Sequence, residues 1–87
     1  MRTIYKYQLN DADNIIEMPA NSMVLSAATQ NHEVVIWASV ETTHGINNRR
    51  FLVIGTGWDM SEYENLELKF INTVFVDRMV FHVFEVI

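Results

Sequence analysis

Hydrophobic and polar residues alternate with a period of two along most of this chain, the pattern that predicts strands. Thr3, Tyr5, Tyr7 and Leu9 alternate with Arg2, Lys6 and Gln8, giving a first strand over residues 3–9. The cluster Asn10-Asp11-Ala12-Asp13-Asn14 is turn chemistry, because Asn and Asp side chains bond nearby backbone and tolerate tight dihedrals. Residues 15–18 read as a short strand ended by Pro19, which has no N–H to give a central ladder. Residues 23–29 and 33–41 flank Gln30-Asn31-His32 as a hairpin. In the second of these, Val34, Ile36, Ala38 and Val40 share one face, and Glu33, Val35, Trp37, Ser39 and Glu41 the other. Residues 42–49 read as a polar loop, and residues 50–55 as a strand with Phe51 and Val53 on one side, Leu52 and Ile54 on the other. Gly55-Thr56-Gly57-Trp58 breaks that strand. A helical turn is expected only over residues 59–64, with Asp59 as cap and Glu62 completing a capping box. Residues 66–76 and 79–87 form the last strands, joined by Asp77-Arg78. Six or seven short strands predict a single all-β domain over residues 1–87, a small antiparallel sandwich or barrel.

Several strands are apolar on both faces. Val35 and Trp37 oppose Val34 and Ile36, Phe81 and Val83 oppose Val80 and Phe84, and Ile71 and Phe75 oppose Phe70 and Val74. A sheet solvated on one side alternates cleanly, whereas strands buried on both sides do not. A chain of 87 residues has few elements left to cover a second face. A homo-oligomer is therefore expected, with Val35, Trp37, Phe81 and Phe84 at the interface; the alternative is that short loops and the helical turn supply the cover. Trp37 is the leading exposed anchor, its alternative being ordinary packing on that second face.

Composition narrows the partners. The chain has no cysteine, which removes disulfide staples and Cys-based metal sites and fits a reducing compartment. No targeting segment and no apolar run near the ~20 residues of a membrane span is expected from the pattern. The formal charge is −5, with six basic residues scattered rather than clustered, so no duplex nucleic-acid partner is expected.

Catalytic patterns are lacking: there is no nucleophile elbow, phosphate-binding Walker loop or His-Glu-x-x-His. His32, His44 and His82 have no ligand spacing, and His82 and Glu85 fall on opposite faces of a strand. Asp59, Glu62 and Glu64 read as a solvated acidic turn. No enzyme, no metal and no cofactor are expected. Ligand capture is better served. Gly55 and Gly57 let backbone approach a ligand, Thr56 adds a hydroxyl, and Trp58 and Tyr63 offer stacking faces. Arg49 and Arg50 supply guanidinium groups suited to phosphate or carboxylate, beside the amides of Asn47 and Asn48. The set points to a small anionic aromatic ligand such as a nucleotide.

The opening Met1-Arg2-Thr3-Ile4-Tyr5-Lys6-Tyr7, then Ile36-Trp37-Ala38, Gly55-Thr56-Gly57 and Val80-Phe81-His82-Val83-Phe84-Glu85 resemble small proteins of tailed bacteriophages and prophages. The resemblance runs over most of the chain in the same order. In those relatives a histidine commonly follows the Gly-Thr-Gly, where this chain has Trp58. The resemblance implies a phage accessory protein in the host cytoplasm, and by analogy a counter-defence factor. Two functions are then expected: an oligomer that sequesters a nucleotide immune signal, or an inhibitor docking on a host protein through Trp37 and the acidic 59–64 turn.

Overall fold

A computed structural model describes all of residues 1–87. Seven strands form two antiparallel sheets packed face to face, a sandwich rather than a closed barrel. The strands are β1 (Arg2–Leu9), β2 (Asp13–Pro19), β3 (Met23–Gln30), β4 (Glu33–Glu41), β5 (Ile46–Gly55), β6 (Leu68–Val76) and β7 (Met79–Val86). One sheet has the order β1-β4-β3 and the other β2-β5-β7-β6. The single helical element is one 3₁₀ turn, Ser61–Tyr63, and no helix is long and apolar enough to cross a membrane.

The core lies between the sheets. Leu9, Val34, Ile36 and Ala27 of the smaller sheet meet Met18, Phe51, Val53, Val74 and Val83 of the larger. At one margin the edges of β3 and β6 run side by side without sharing a ladder. Two side chains bridge them instead, Thr29 Oγ1 donating to the Phe75 carbonyl at 2.6 Å and Asn72 Nδ2 to that of Ala27 at 2.9 Å.

The alternation seen in the sequence is broken twice by bulges, near Leu25 in β3 and near Ile71 in β6. An extra residue resets which side chains face inward. Ile71 therefore packs on the core while Phe70 meets Phe84 edge-to-face on the outer side, and Phe75 stays 66% exposed.

The loop expected at residues 42–49 is shorter than its composition suggests. β5 begins at Ile46, and Asn47, Asn48 and Arg49 pair with Met18, Glu17 and Ile16 of β2. The partner strand overrides the low β-propensity of asparagine.

The outer face of the larger sheet is covered in part by its own chain. Tyr63 sits on Leu52 and Ile54, with Met60, Leu66, Leu68, Phe84 and Val86 around them. The segment between β5 and β6 thus covers the second face at Leu52, Ile54, Phe84 and Val86, while Phe70 and Phe75 on the same side stay 55 and 66% exposed. Asp59 Oδ1 accepts the Ser61 N–H at 2.9 Å, but the residue at the cap position is Met60 and no side chain closes a capping box. The smaller sheet has no such cover. Its outer face carries Val35 and Trp37, and Lys6 crosses it to reach Gln30 Oε1 at 2.6 Å. Long basic side chains laid across apolar surface in this way keep their charged heads wet, and Val35 is only 3% exposed.

Candidate functional site

All turns at one end of the sandwich converge on Trp58. β5 ends at Gly55, which pairs with Phe81, so the tip of the β6–β7 hairpin stands beside the Gly55-Thr56-Gly57 loop. The β3–β4 hairpin closes through Asn31 and His32, both with positive φ (52° and 64°), the two-residue turn whose twist suits a hairpin. Asp77 is also in the left-handed region, and its Oδ1 lies 3.1 Å from His32 Nδ1. The tips of two hairpins, one from each sheet, are tied by that contact.

The Trp58 indole lies flat over Gly55 and edge-to-face with Phe81, ring centroids 5.8 Å apart. A Cβ at position 55 would stand 2.5 Å from Trp58 Cε2, so only glycine admits the ring there. Gly55→Ala is expected to push the indole out and cost about 1–3 kcal/mol. In a Trp37→Phe background, where Trp58 is the sole tryptophan, its emission should shift to the red while the strands persist.

Two cavities flank the indole. The larger, about 320 Å³, has an apolar floor of Leu9, Val34, Val53, Val76 and Phe81 and a polar rim of Asn10, Asp11, His32 and Glu33. The smaller, about 300 Å³, is lined by Gly55, Thr56, Trp58, Arg78, Met79 and Val80. Thr56 Oγ1 lies 2.7 Å from His82 Nε2, and Thr73 Oγ1 3.0 Å from His82 Nδ1, so the imidazole bridges two hydroxyls and fixes Thr56. The four ion pairs of the chain leave out Arg78, Asp11 and Glu33. One side of Trp58 is thus acidic and the other basic. A carboxylate ~6 Å from a phosphate costs about 1–3 kcal/mol at effective dielectric constants of about 80 to 20, which directs an anionic group to the Arg78 side.

The two arginines read from the sequence are engaged elsewhere. They are neighbours on β5 and project to opposite faces. Arg49 forms a two-pronged pair with Glu85, at 2.6 and 2.9 Å, and also donates to the Ser22 carbonyl. Arg50 pairs in the same way with Asp13, at 2.8 and 2.6 Å, and lies over the Tyr63 ring. Hydrogen bonding to these carboxylates raises both guanidinium pKa values further above their ordinary range, and that from Arg50 lowers the Asp13 carboxyl. Both arginines are removed from the Gly55–Trp58 loop, and Tyr63 is buried against the outer face of the larger sheet. So Gly55, Thr56, Gly57 and Trp58 come together, while Arg49, Arg50 and Tyr63 do not join them. The guanidinium in reach is Arg78, read from the sequence only as part of a hairpin. Its proximity follows from the β5–β7 pairing, which composition does not reveal.

Of the residues expected at an interface, Trp37 lies on the uncovered outer face of the smaller sheet. Val35 is buried beside it, Phe81 packs into the core next to Trp58, and Phe84 belongs to the covered cluster of the larger sheet. Trp37 and the 59–64 turn sit on opposite outer faces, so they do not make one surface. His44 is tied to the Ala20 carbonyl at 2.8 Å, at the end away from Trp58. No three His, Asp or Glu side chains gather as metal ligands would.

A family model described as a domain of unknown function (DUF7352) matches residues 1–87. The chain belongs to the DUF7352 family. No curated protein and no solved structure matches it. The DUF7352 fold described above thus rests on this chain's own strands and registers.

Proposed function

We propose that this DUF7352 protein is a non-catalytic binding protein that captures a small anionic aromatic ligand, of nucleotide type, at the Trp58 end of the sandwich. The observation that carries this reading is the half-exposed indole standing between two cavities, with the uncommitted guanidinium of Arg78 and the fixed hydroxyl of Thr56 on one side. A stacking face next to a charge-assisted donor is the minimum such a ligand needs. The cavity volumes, about 320 and 300 Å³, lie at the lower end of small-molecule sites and suit a mononucleotide-sized guest. Capture without turnover suits sequestration. Together with the resemblance to phage and prophage proteins, it supports a counter-defence role in the host cytoplasm, where the ligand would be a nucleotide signal.

Self-association is part of this proposal. Ile4, Met23 and Leu25 are 58, 65 and 48% exposed on or beside the uncovered face of the smaller sheet, around Trp37. The same face supports the second reading, an inhibitor or adaptor that docks on a host protein through Trp37.

The test is native mass spectrometry and titration calorimetry of the purified chain against a panel of nucleoside mono- and dinucleotides. Tight binding with the ligand recovered intact is expected. Trp58→Ala and Arg78→Ala should each weaken it about 10-fold or more, the scale of a lost stacking face or charged hydrogen bond. A ligand returned chemically altered, or no binding across the panel, would overturn the reading.

A further inference from the structure

The two sides of Trp58 differ in more than shape. Two exposed acidic residues, Asp11 and Glu33, line the larger cavity beside its apolar floor. Neither takes part in an ion pair of the chain, and no side chain of the chain donates to them. Asp11 is anchored through its backbone, its N–H donating to Asn14 Oδ1 at 3.0 Å while Asn14 Nδ2 donates to its carbonyl at 2.7 Å. Asn14 is itself buried and holds the Phe51 carbonyl, so the loop that presents Asp11 is fixed to the core. The loop backbone is therefore set while the carboxylate stays uncommitted. Two acceptor-only groups above an apolar floor recognise a flat ring that carries N–H donors. They reject a ring that shows keto oxygens in the same positions, because two acceptors are then opposed.

We infer that the Trp58 site selects an aromatic ring bearing an exocyclic amine, read by Asp11 and Glu33, whose anionic group lies across the indole at Arg78 and Thr56. This rests on the binding reading above and adds its direction and its choice of base. Among mononucleotides the site would take the aminated bases and discriminate against keto-only ones.

The experiment is calorimetric titration of the full chain with three probes: adenosine 5′-monophosphate, inosine 5′-monophosphate and adenosine. The first should bind about ten-fold or more tightly than each of the other two. The inosine compound exchanges the amine and its two N–H donors for a keto oxygen and a single ring N–H at N1, and adenosine lacks the phosphate. In an Asp11→Asn/Glu33→Gln variant the base preference should vanish while the preference for phosphate over none persists. In Arg78→Ala the reverse should hold. Equal affinity for the adenine and inosine monophosphates would overturn the inference and leave the binding reading standing. Loss of base preference in Arg78→Ala with its retention in the carboxylate variant would also overturn it. No binding of any nucleotide, amine-bearing or not, would remove the binding reading and this inference together.

Discussion

Replacing Glu85 by alanine is expected to cost about 2–4 kcal/mol, a large part of the ~4–13 kcal/mol that a domain of this length has in total. Its side chain is 9% exposed and that of its partner Arg49 22%, so the pair lies mostly out of water at the end of the core opposite Trp58. The alanine variant leaves a guanidinium half-buried with only the Ser22 carbonyl to hold it. Removing one partner of such a pair costs far more than the pair itself contributes, because the remaining charge keeps its desolvation penalty. An Arg49→Met/Glu85→Leu variant should therefore recover most of the loss. Urea unfolding followed by circular dichroism measures both. If the double variant is as unstable as Glu85→Ala, the uncompensated charge is not the cause. Asp13→Ala, which breaks the more exposed pair with Arg50, should cost only a small fraction of the Glu85→Ala effect.

That contrast shows where reading the chain residue by residue stops. Period-two patterning was enough for the number and order of the strands, because each strand has at least one face that must be apolar, but not for the starts of β2 and β5, whose Asn and Asp residues read as turn and loop. It was enough for the two hairpin tips, because Asn, Asp and His accept the positive φ those turns demand. It was not enough for Arg49 and Arg50. Adjacent residues on a strand face opposite ways, and which carboxylate each meets depends on strand order. Glu85 reaches Arg49 because β7 pairs with β5, and Asp13 reaches Arg50 because β2 lies on the other edge of β5. The same pairing brings Arg78 to the Gly55-Thr56-Gly57 loop. The bulge near Ile71 hid a second fact, since one added residue moves Ile71 inward. The half of the site that was legible, Gly55 to Trp58, is contiguous in sequence. The rest is assembled from three separate turns.

Tyr63→Ala should cost about 2–4 kcal/mol and expose an apolar patch that the wild-type chain keeps covered. Tyr63 is 8% exposed, and beneath it Leu52 and Ile54 are 0 and 4% exposed on the outer face of the larger sheet. No other strand or helix lies over these two residues; the cover is the segment between β5 and β6. Truncating the ring removes both its own burial and the contacts that fix Met60 and Leu66, so the segment loses its reason to lie down. The phenolic hydroxyl reaches Glu62 at the solvent edge, where such a bond adds little. Tyr63→Phe should therefore hold its urea midpoint close to wild type, while Tyr63→Ala falls and gains binding of a hydrophobic dye at neutral pH. A Tyr63→Ala variant with unchanged midpoint and no dye binding would mean that this segment is not what shields the sheet. The outcome bears on assembly as well. If Tyr63→Ala associates through the uncovered Leu52–Ile54 face, whereas the parent's association responds only to changes around Trp37, the two outer faces have separate roles. In that outcome the segment between β5 and β6 shields the Leu52–Ile54 patch, and the smaller sheet is the face that the proposed association would use.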